Sequence, residues 1–361
     1  MDILISATNL RQTMNETLPQ EPLATGSVRV AINHFGLSAN NITYAVMGDA
    51  MNYWQFFPYE GLDDSAPWRR MPVWGYATVT ESAHDDVKSG ELIFGYFPCS
   101  SSFVIEPGRI DPSGFSDVAA HRADLPSVYN RYSRCAADSS YSLESEPIDM
   151  LLKPLFTTSF VVHDYLVDND HFGASTAVLS SASSKTAIGV AILLAEAGAV
   201  RVVGLTSPSN VAFCKSLGCY DEVLTYDDVE KLSLDSSVYL DVAGRRDVTN
   251  AIHHHLGDKL GWSMIIGDTH WEATSEPTGP LPGPRPTLLF APVQIAKRRQ
   301  EWGREGFEQA LASAWGLAKP IFEGFIKFES LSGPDAITAA YLELLEGSAD
   351  PTTGWICSLL T

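Results

Sequence analysis

Eight residues, Ser180-Ser181-Ala182-Ser183-Ser184-Lys185-Thr186-Ala187, join a short apolar run, TAVLSSA (176–182), to the helix-like stretch KTAIGVAILLAEAGA (185–199). A strand ending in small residues, a tight turn and a helix together make an anion cradle. Free N–H groups and the positive end of the helix dipole face one point there. The turn has none of the glycines of GxGxxG and so fails the bare dinucleotide motif. Its small hydroxyl residues still let a diphosphate approach and donate hydrogen bonds to it. Lys185 is placed to pair with a phosphate, although a cation at a helix start opposes the dipole. The other reading is a sterically small corner with no ligand. One strand later, Thr206-Ser207-Pro208-Ser209-Asn210 stands where an NAD site usually carries Asp or Glu, about 20 residues past the turn. With no carboxylate to repel a 2′-phosphate and several donors to hold one, NADP is favoured over NAD; Arg201 and Lys215 are the nearest cations.

Other reactive types are less promising. His253-His254-His255 point about 100° apart on a helix and cannot chelate together, so they read as a solvated helix end. The five cysteines, Cys99, Cys135, Cys214, Cys219 and Cys357, are scattered and without a CxxC pair, and read as reduced, buried thiols of a cytosolic protein. AMNYWQFFPYE (50–60) is rich in aromatic rings and reads equally as barrel packing or as an apolar wall for a substrate.

The elements that must position these residues fall into two patterns. SVRVAINHF (27–35) alternates apolar and polar like a half-buried strand, and GYATVTES (75–82) and ELIFGYFPCSSSFVIE (91–106) read as further short strands. Residues 111–150 are polar, with helix-compatible pieces and Tyr129, Tyr132 and Tyr141, and read as an insertion or cover. From about 153 strands alternate with helices: 176–182, 185–199, 200–207, 209–218, 221–226, 238–244, 247–256 and 262–268. That alternation implies right-handed crossovers and a parallel sheet with helices on both faces. A Pro/Gly-rich linker (274–287), helices near 297–318 and 334–346 and a last strand at GWICSLL complete the chain. The apolar content of this end reads either as intrachain core or as the contact of a homodimer.

With 24 Lys+Arg against 44 Asp+Glu, the 361-residue chain carries −20 and has a pI near 4.7. Such a molecule repels phosphate backbones and anionic lipid, so nucleic-acid and membrane-surface binding are not expected. No stretch reaches the roughly 18 apolar residues of a membrane span, and the acidic start MDILISATNLRQTMNE is not expected to be a secretory signal.

Taken together, GSVRVAINHFGLSANNI (26–42), VWGYATVTES (73–82), ELIFGY with SSFVIEPGRI, KPLFTTSFVVHDYL (153–166) and the run from Ala187 to Tyr226 resemble the medium-chain dehydrogenase/reductase superfamily. Within it they are closest to the zinc-independent quinone-oxidoreductase-like branch. The last ~75 residues, with FAPVQIAKRRQEWGREGF, resemble a subgroup of unknown function. The resemblance implies a GroES-like β-barrel domain plus a Rossmann doubly wound parallel-sheet domain. It divides the chain as 1–152, with an insertion at about 111–150, then 153–289 for the cofactor-binding domain, and 290–361 as a helical segment returning to the first domain. Ser38 and Tyr76 stand where zinc-dependent members carry Cys and His ligands, so no metal is expected. Ser184, Lys185 and Ala187 replace the three glycines of the family's phosphate turn.

By the same resemblance Asn40 and Thr158 lie near the nicotinamide. Ser183, Ser184, Lys185, Thr186, Thr206, Ser207, Asn210 and Gly267, at the end of the strand 262–268, make up the remaining cofactor-binding set. Tyr44, Tyr53 and Tyr76 are the candidate proton or hydrogen-bond donors for an oxygen that becomes negative as hydride arrives. The implied activity is an NADPH-dependent reduction of a conjugated C=C or C=O bond in a small apolar molecule. The alternative is a catalytically degenerate member that binds a ligand or partner without redox turnover.

Overall fold

The structure, a computed structural model, describes residues 1–17, 19–59, 67–242, 244–266 and 281–360. Its residues group into two units, Met1–Pro154 with Ile326–Thr361, and Leu155–Phe325. In chain order the first unit contributes β1 (Asp2–Ser6), β2 (Asn9–Glu16), β3 (Val28–Leu37), α1 (Ala39–Val46), β4 (Trp68–Arg70), β5 (Pro72–Ser82), β6 (Leu92–Pro98), β7 (Ser102–Ile105), β8 (Pro107–Asp111), β9 (Gly114–Asp117) and β10 (Arg131–Arg134). The helix α2 (Glu146–Asp168) leads into the second unit. There follow β11 (Thr176–Leu179), α3 (Lys185–Ala197), β12 (Arg201–Thr206), α4 (Val211–Ser216), β13 (Glu222–Thr225), β14 (Ser237–Asp241), α5 (Arg246–Leu256), β15 (Leu260–Ile265), β16 (Thr287–Leu288) and α6 (Ala291–Glu323). The last elements, β17 (Lys327–Ser332), α7 (Pro334–Leu345) and β18 (Thr353–Ser358), belong to the first unit again.

The second unit is built on a parallel sheet of order β13-β12-β11-β14-β15-β16. Counting from β11, that is the 3-2-1-4-5-6 order of a doubly wound dinucleotide-binding sheet. β11 is short and wholly buried, as a central parallel strand must be. Val178, Val203, Leu205, Tyr239, Ile252 and Leu256 form one core beneath it. α3 starts at Ser184, whose hydroxyl accepts the Ala187 N–H, and stops at Gly198 in the left-handed region (φ 62°). Between these caps Ile188, Val190, Ile192, Leu193 and Leu194 are buried, each contributing about 1.5–3 kcal/mol of apolar transfer.

In the first unit the main sheet runs β17-β18-β3-β5-β6-β10-β9-β8, with β7 pairing β3. The stretch 111–150 differs from its sequence reading. β9 and β10 extend the sheet beyond β6, held by the buried rings of Phe115 and Tyr132 at 5.8 Å, and the helical pieces before α2 are only short 3-10 turns. The β1–β2 hairpin, which pairs with β4, and β17 were not assigned from the sequence. β1 is short and apolar at its centre without alternating, and β2 and β17 are mostly polar with little alternation to detect.

The first unit also contains a bulge that aims a side chain. β3 and β5 pair with Ile32 opposite Ala77 but His34 opposite Tyr76, so Asn33 is an extra residue. Its carbonyl accepts the Ser358 hydroxyl at 2.8 Å, and its amide donates to Thr78 at 2.9 Å. Gly75 makes room for this path, because a Cβ there would lie 2.3 Å from the His34 carbonyl oxygen.

Candidate functional site

The turn between β11 and α3 is held by its neighbours at nearly every residue. Ser180 donates its hydroxyl to Asp241 (2.8 Å) and accepts the Val242 N–H (3.0 Å). Ser181 takes a left-handed backbone (φ 52°), a conformation usually left to glycine, at a cost of about 1 kcal/mol or more. Its N–H donates to the Tyr226 hydroxyl at 3.0 Å. Ala182 accepts from the Tyr220 hydroxyl (2.8 Å) and lies so close to β12 that a Cβ on Gly204 would meet it at 2.8 Å. The left-handed step therefore occurs at Ser181, upstream of the three positions where the family pattern has glycines.

Beyond it the polar side chains gather. The Ser183 hydroxyl accepts from Asn210 at 3.1 Å and Thr206 at 3.5 Å, and Ser207 and Ser209 share a hydrogen bond at 3.1 Å. Ser184 caps α3, Lys185 and Thr186 open it, and the Thr186 carbonyl accepts the Ser159 hydroxyl at 2.8 Å. Ser159 follows Thr158 on α2, so the helix carrying Thr158 is fastened to the turn. The start of a thirteen-residue helix with the hydroxyls of Ser183, Thr206 and Ser207 and the amide of Asn210 beside it forms a donor set suited to phosphate oxygens. Burial holds the Asp241 carboxyl above the usual carboxylate range, although Ser180, Thr249 and the Gly244 N–H all donate to it. Sequence reading missed Tyr226, Tyr220 and Asp241, which reach the turn from as far as 61 residues away and share no local motif with it. Gly267 lies outside the described residues.

The three candidate tyrosines separate into two places. Tyr44 on α1 and Tyr53 in the 3-10 turn Tyr53–Phe56 pack together at 4.8 Å, with Phe56, Phe57, Tyr96 and the partly buried Tyr129 around them. Trp74 donates to the Tyr44 hydroxyl at 3.1 Å, and the Tyr53 and Tyr129 hydroxyls lie 3.4 Å apart. Burial raises the pKa of both Tyr44 and Tyr53 above the ordinary phenol value. The guanidinium of Arg122, 4.7 Å from the Phe57 ring centroid and 3.3 Å from Asp117, is buried beside these rings. Asn40 lies one turn before Tyr44 on α1.

Tyr76, on β5, sits elsewhere, against Phe94 (5.0 Å), His34 (5.7 Å) and Tyr141 (6.0 Å). Its hydroxyl is raised first by burial and then by Asp149, Cys135, Glu146 and Tyr141. His34 Nε2 and Glu146 Oε2 are 2.6 Å apart, and the Tyr141 hydroxyl donates to Glu146 Oε1 at 2.6 Å. Neither His34 nor Glu146 stood among the sequence candidates.

One expectation is corrected. Only part of the histidine run is solvated: His254 is exposed and His255 half-buried, but His253 is fully buried, with Nδ1 at 2.8 Å from the Pro282 carbonyl and Nε2 at 2.9 Å from the Ser263 hydroxyl. Val248, Thr249, Ile252 and Leu256 line the same buried face of α5. That helical spacing was readable, since His253 follows Thr249 by four residues. His254 and His255 are tied to backbone carbonyls of Asn250 and Leu232. At the positions of the family's zinc ligands, Ser38 accepts the Asn40 N–H as the cap of α1, and the Tyr76 ring packs on Phe94. Among the described residues no group of three His, Cys, Asp or Glu is arranged to hold a metal ion, and no helix is long and apolar enough to cross a membrane.

A family model described as "Protein of unknown function (DUF2855)" matches residues 35–350. No curated protein matches the sequence. Among solved structures, CurA of Vibrio vulnificus in complex with NADPH has a TM-score of 0.60 at 14% identity, covering 97% of this chain and 94% of that one. The yhdH oxidoreductase of Salmonella enterica in complex with NADP has a TM-score of 0.55 at 13% identity, covering 99% of each chain. Glucose dehydrogenase of Haloferax mediterranei, in complex with NADP, Zn and gluconolactone, has a TM-score of 0.53 at 11% identity, covering 100% of this chain and 99% of that one. At these identities the likeness establishes a shared fold, a GroES-like sheet unit with a Rossmann-type parallel-sheet unit.

Proposed function

The chain belongs to the DUF2855 family, whose description states no activity, and we propose from its site that it is a zinc-independent, NADPH-dependent reductase of a conjugated C=C or C=O bond in a small apolar molecule. The observation that carries this reading is the strand–turn–helix at Ser180–Ala187. Its serine at φ 52° and capped helix start reproduce without glycine the donor-lined corner that a diphosphate needs. Ser183, Ser184, Lys185 and Thr186 would hold the diphosphate, and Thr206, Ser207 and Asn210 the 2′-phosphate, with no carboxylate between residues 206 and 210 to oppose it. Asn40 and Thr158 take the nicotinamide side.

When bound, the nicotinamide supplies hydride. The chain's own part is to hold a hydroxyl where the substrate oxygen gains charge. Of Tyr44, Tyr53 and Tyr76 we favour Tyr76, because its neighbours are ionisable and those of Tyr44 and Tyr53 are mostly rings. Zinc has no part in this reading, since Ser38 is used as a helix cap and Tyr76 replaces an imidazole. We place the protein in the cytoplasm. A homodimer would cover the exposed Val293, Leu317 and Ile321 of α6.

Titration of the pure protein with NADPH and NADH, followed by nicotinamide fluorescence, tests the reading. NADPH is expected to bind more tightly than NADH, and Lys185→Ala to weaken NADPH by about ten-fold, or about 1.4 kcal/mol. Binding of neither nucleotide at high micromolar concentration overturns it. It would favour the second reading, a member that binds another ligand without turnover, which the glycine-free turn supports.

A further inference from the structure

His34, Glu146 and Tyr141 form a connected set in the first unit that the cofactor reading does not use. The bulge at Asn33 turns His34 onto the face of Tyr76, where an uninterrupted register would have put Asn33. Glu146 opens α2, and its side chain is 3% exposed against 27% for His34. Both Glu146 oxygens are occupied, one by the imidazole and one by the Tyr141 hydroxyl. A carboxylate fixed on two sides at a helix start is a firm acceptor, so it sets the tautomer of the ring it binds.

With Nε2 engaged, the remaining ring nitrogen, Nδ1, makes no hydrogen bond among the described residues. A buried carboxylate on one imidazole nitrogen, with the other nitrogen left for proton transfer, is the arrangement of a general acid–base histidine. Asp149, one turn along α2, adds a second buried carboxylate whose Oδ1 has no partner. Its Oδ2 takes the Ser145 hydroxyl and the Lys153 ammonium. Tyr76 and Cys135 also face this set, their protons held on by burial.

We propose that His34 is the acid of the reduction, carrying the transferred proton on Nδ1, with Glu146 and Tyr141 as positioning residues and Tyr76 as the neighbouring hydroxyl donor. The inference rests on the reductase reading above. In the step, the electrophilic carbon of the substrate accepts the hydride, and the π electrons move to oxygen, where the Tyr76 hydroxyl stabilises them. The Nδ1–H bond breaks as the proton passes to that oxygen, leaving neutral imidazole, which regains a proton from solvent. The bound nicotinamide would supply the hydride and be oxidised by two electrons, so charge and electrons balance.

Two measurements test it. In the first, the tautomer-sensitive ring ¹⁵N shifts of His34 are compared by NMR in the wild type and in Glu146→Gln, without cofactor. Loss of the carboxylate is expected to change both shifts as the ring loses its fixed tautomer; unchanged shifts overturn the pairing. In the second, NADPH oxidation is followed with trans-2-hexenal and 9,10-phenanthrenequinone as probes. His34→Gln should lose about a hundred-fold in kcat, with NADPH affinity and melting temperature close to wild type, and Glu146→Gln should lose less. An unchanged rate in His34→Gln overturns the role of His34 and leaves the reductase standing. Failure of the wild type to bind NADPH, or to oxidise it with either probe, overturns the reductase reading and this role with it, while the NMR comparison still decides the His34–Glu146 pairing.

Discussion

Tyr53 and Tyr76 are about equally buried, at 6% and 3% exposure, yet their hydroxyls have different company. Around Tyr53 lie Tyr44, Phe56, Phe57, Tyr96 and Tyr129, ring against ring, many of them edge to face. Around Tyr76 lie His34, Tyr141, Glu146, Asp149 and Cys135. The first arrangement is what a small domain needs for its core, since aromatic pairs add to the energy of burial. The second concentrates groups that exchange protons, which a core gains nothing from. Burial and residue type alone do not rank Tyr76 above Tyr53 as the proposed donor; the neighbours do.

Stability should distinguish the two places most strongly. Phe56→Ala, in the centre of the ring cluster, is expected to cost about 3–5 kcal/mol in urea unfolding, whereas Tyr141→Phe, which removes one hydrogen bond to Glu146, should cost about 1 kcal/mol. Similar costs for both would erase the distinction. Catalysis should invert the order. Tyr76→Phe is expected to lower kcat for NADPH-dependent reduction by about a hundred-fold, or about 2.7 kcal/mol, and Tyr44→Phe and Tyr53→Phe by less than about three-fold. A larger loss at Tyr44 or Tyr53 than at Tyr76 would move the donor to the ring cluster.

Much of the second unit was legible because its signals are local. TAVL, VRVVGLT and VYLD are apolar runs bounded by Gly, Ser or Pro, and each helix lies between them with a readable stop, Gly198 after α3 and Gly218 after α4. The turn between β11 and α3 was legible as a place, from small residues at a strand end, but not in how its backbone is held. The left-handed step at Ser181 is held by Tyr226, from the 3-10 turn that follows β13, and by Leu205 of β12. In the first unit the His34–Glu146 contact spans 112 positions and passes through a one-residue bulge. No periodicity announces a bulge, and without it His34 would face away from Tyr76. The resemblance pointed to Tyr76 by position, while the partners that distinguish it from Tyr44 and Tyr53 had to come from the folded chain.

The smallest expected effect carries the same contrast of surroundings over to the histidines. His253 was read from its run as solvent-facing, yet it is enclosed by α5, β15 and the Pro282 carbonyl, and burial holds it below the ordinary imidazole value of 6.5. His163 on α2 is lowered by the same cause, with His171 adding to it. In both cases the folded state binds protons less readily than the unfolded chain. Their contribution to stability is therefore complete above pH 6.5 and is lost as pH falls from there towards the folded-state values. Each group can cost at most about 1.4 kcal/mol per pH unit within that window. Unfolding free energies measured between about pH 7.5 and 5.5 should decline for the wild type and decline less steeply for His253→Gln, whatever the variant's absolute stability. An identical slope would mean that His253 charges freely inside the fold despite its enclosure by α5, β15 and the Pro282 carbonyl.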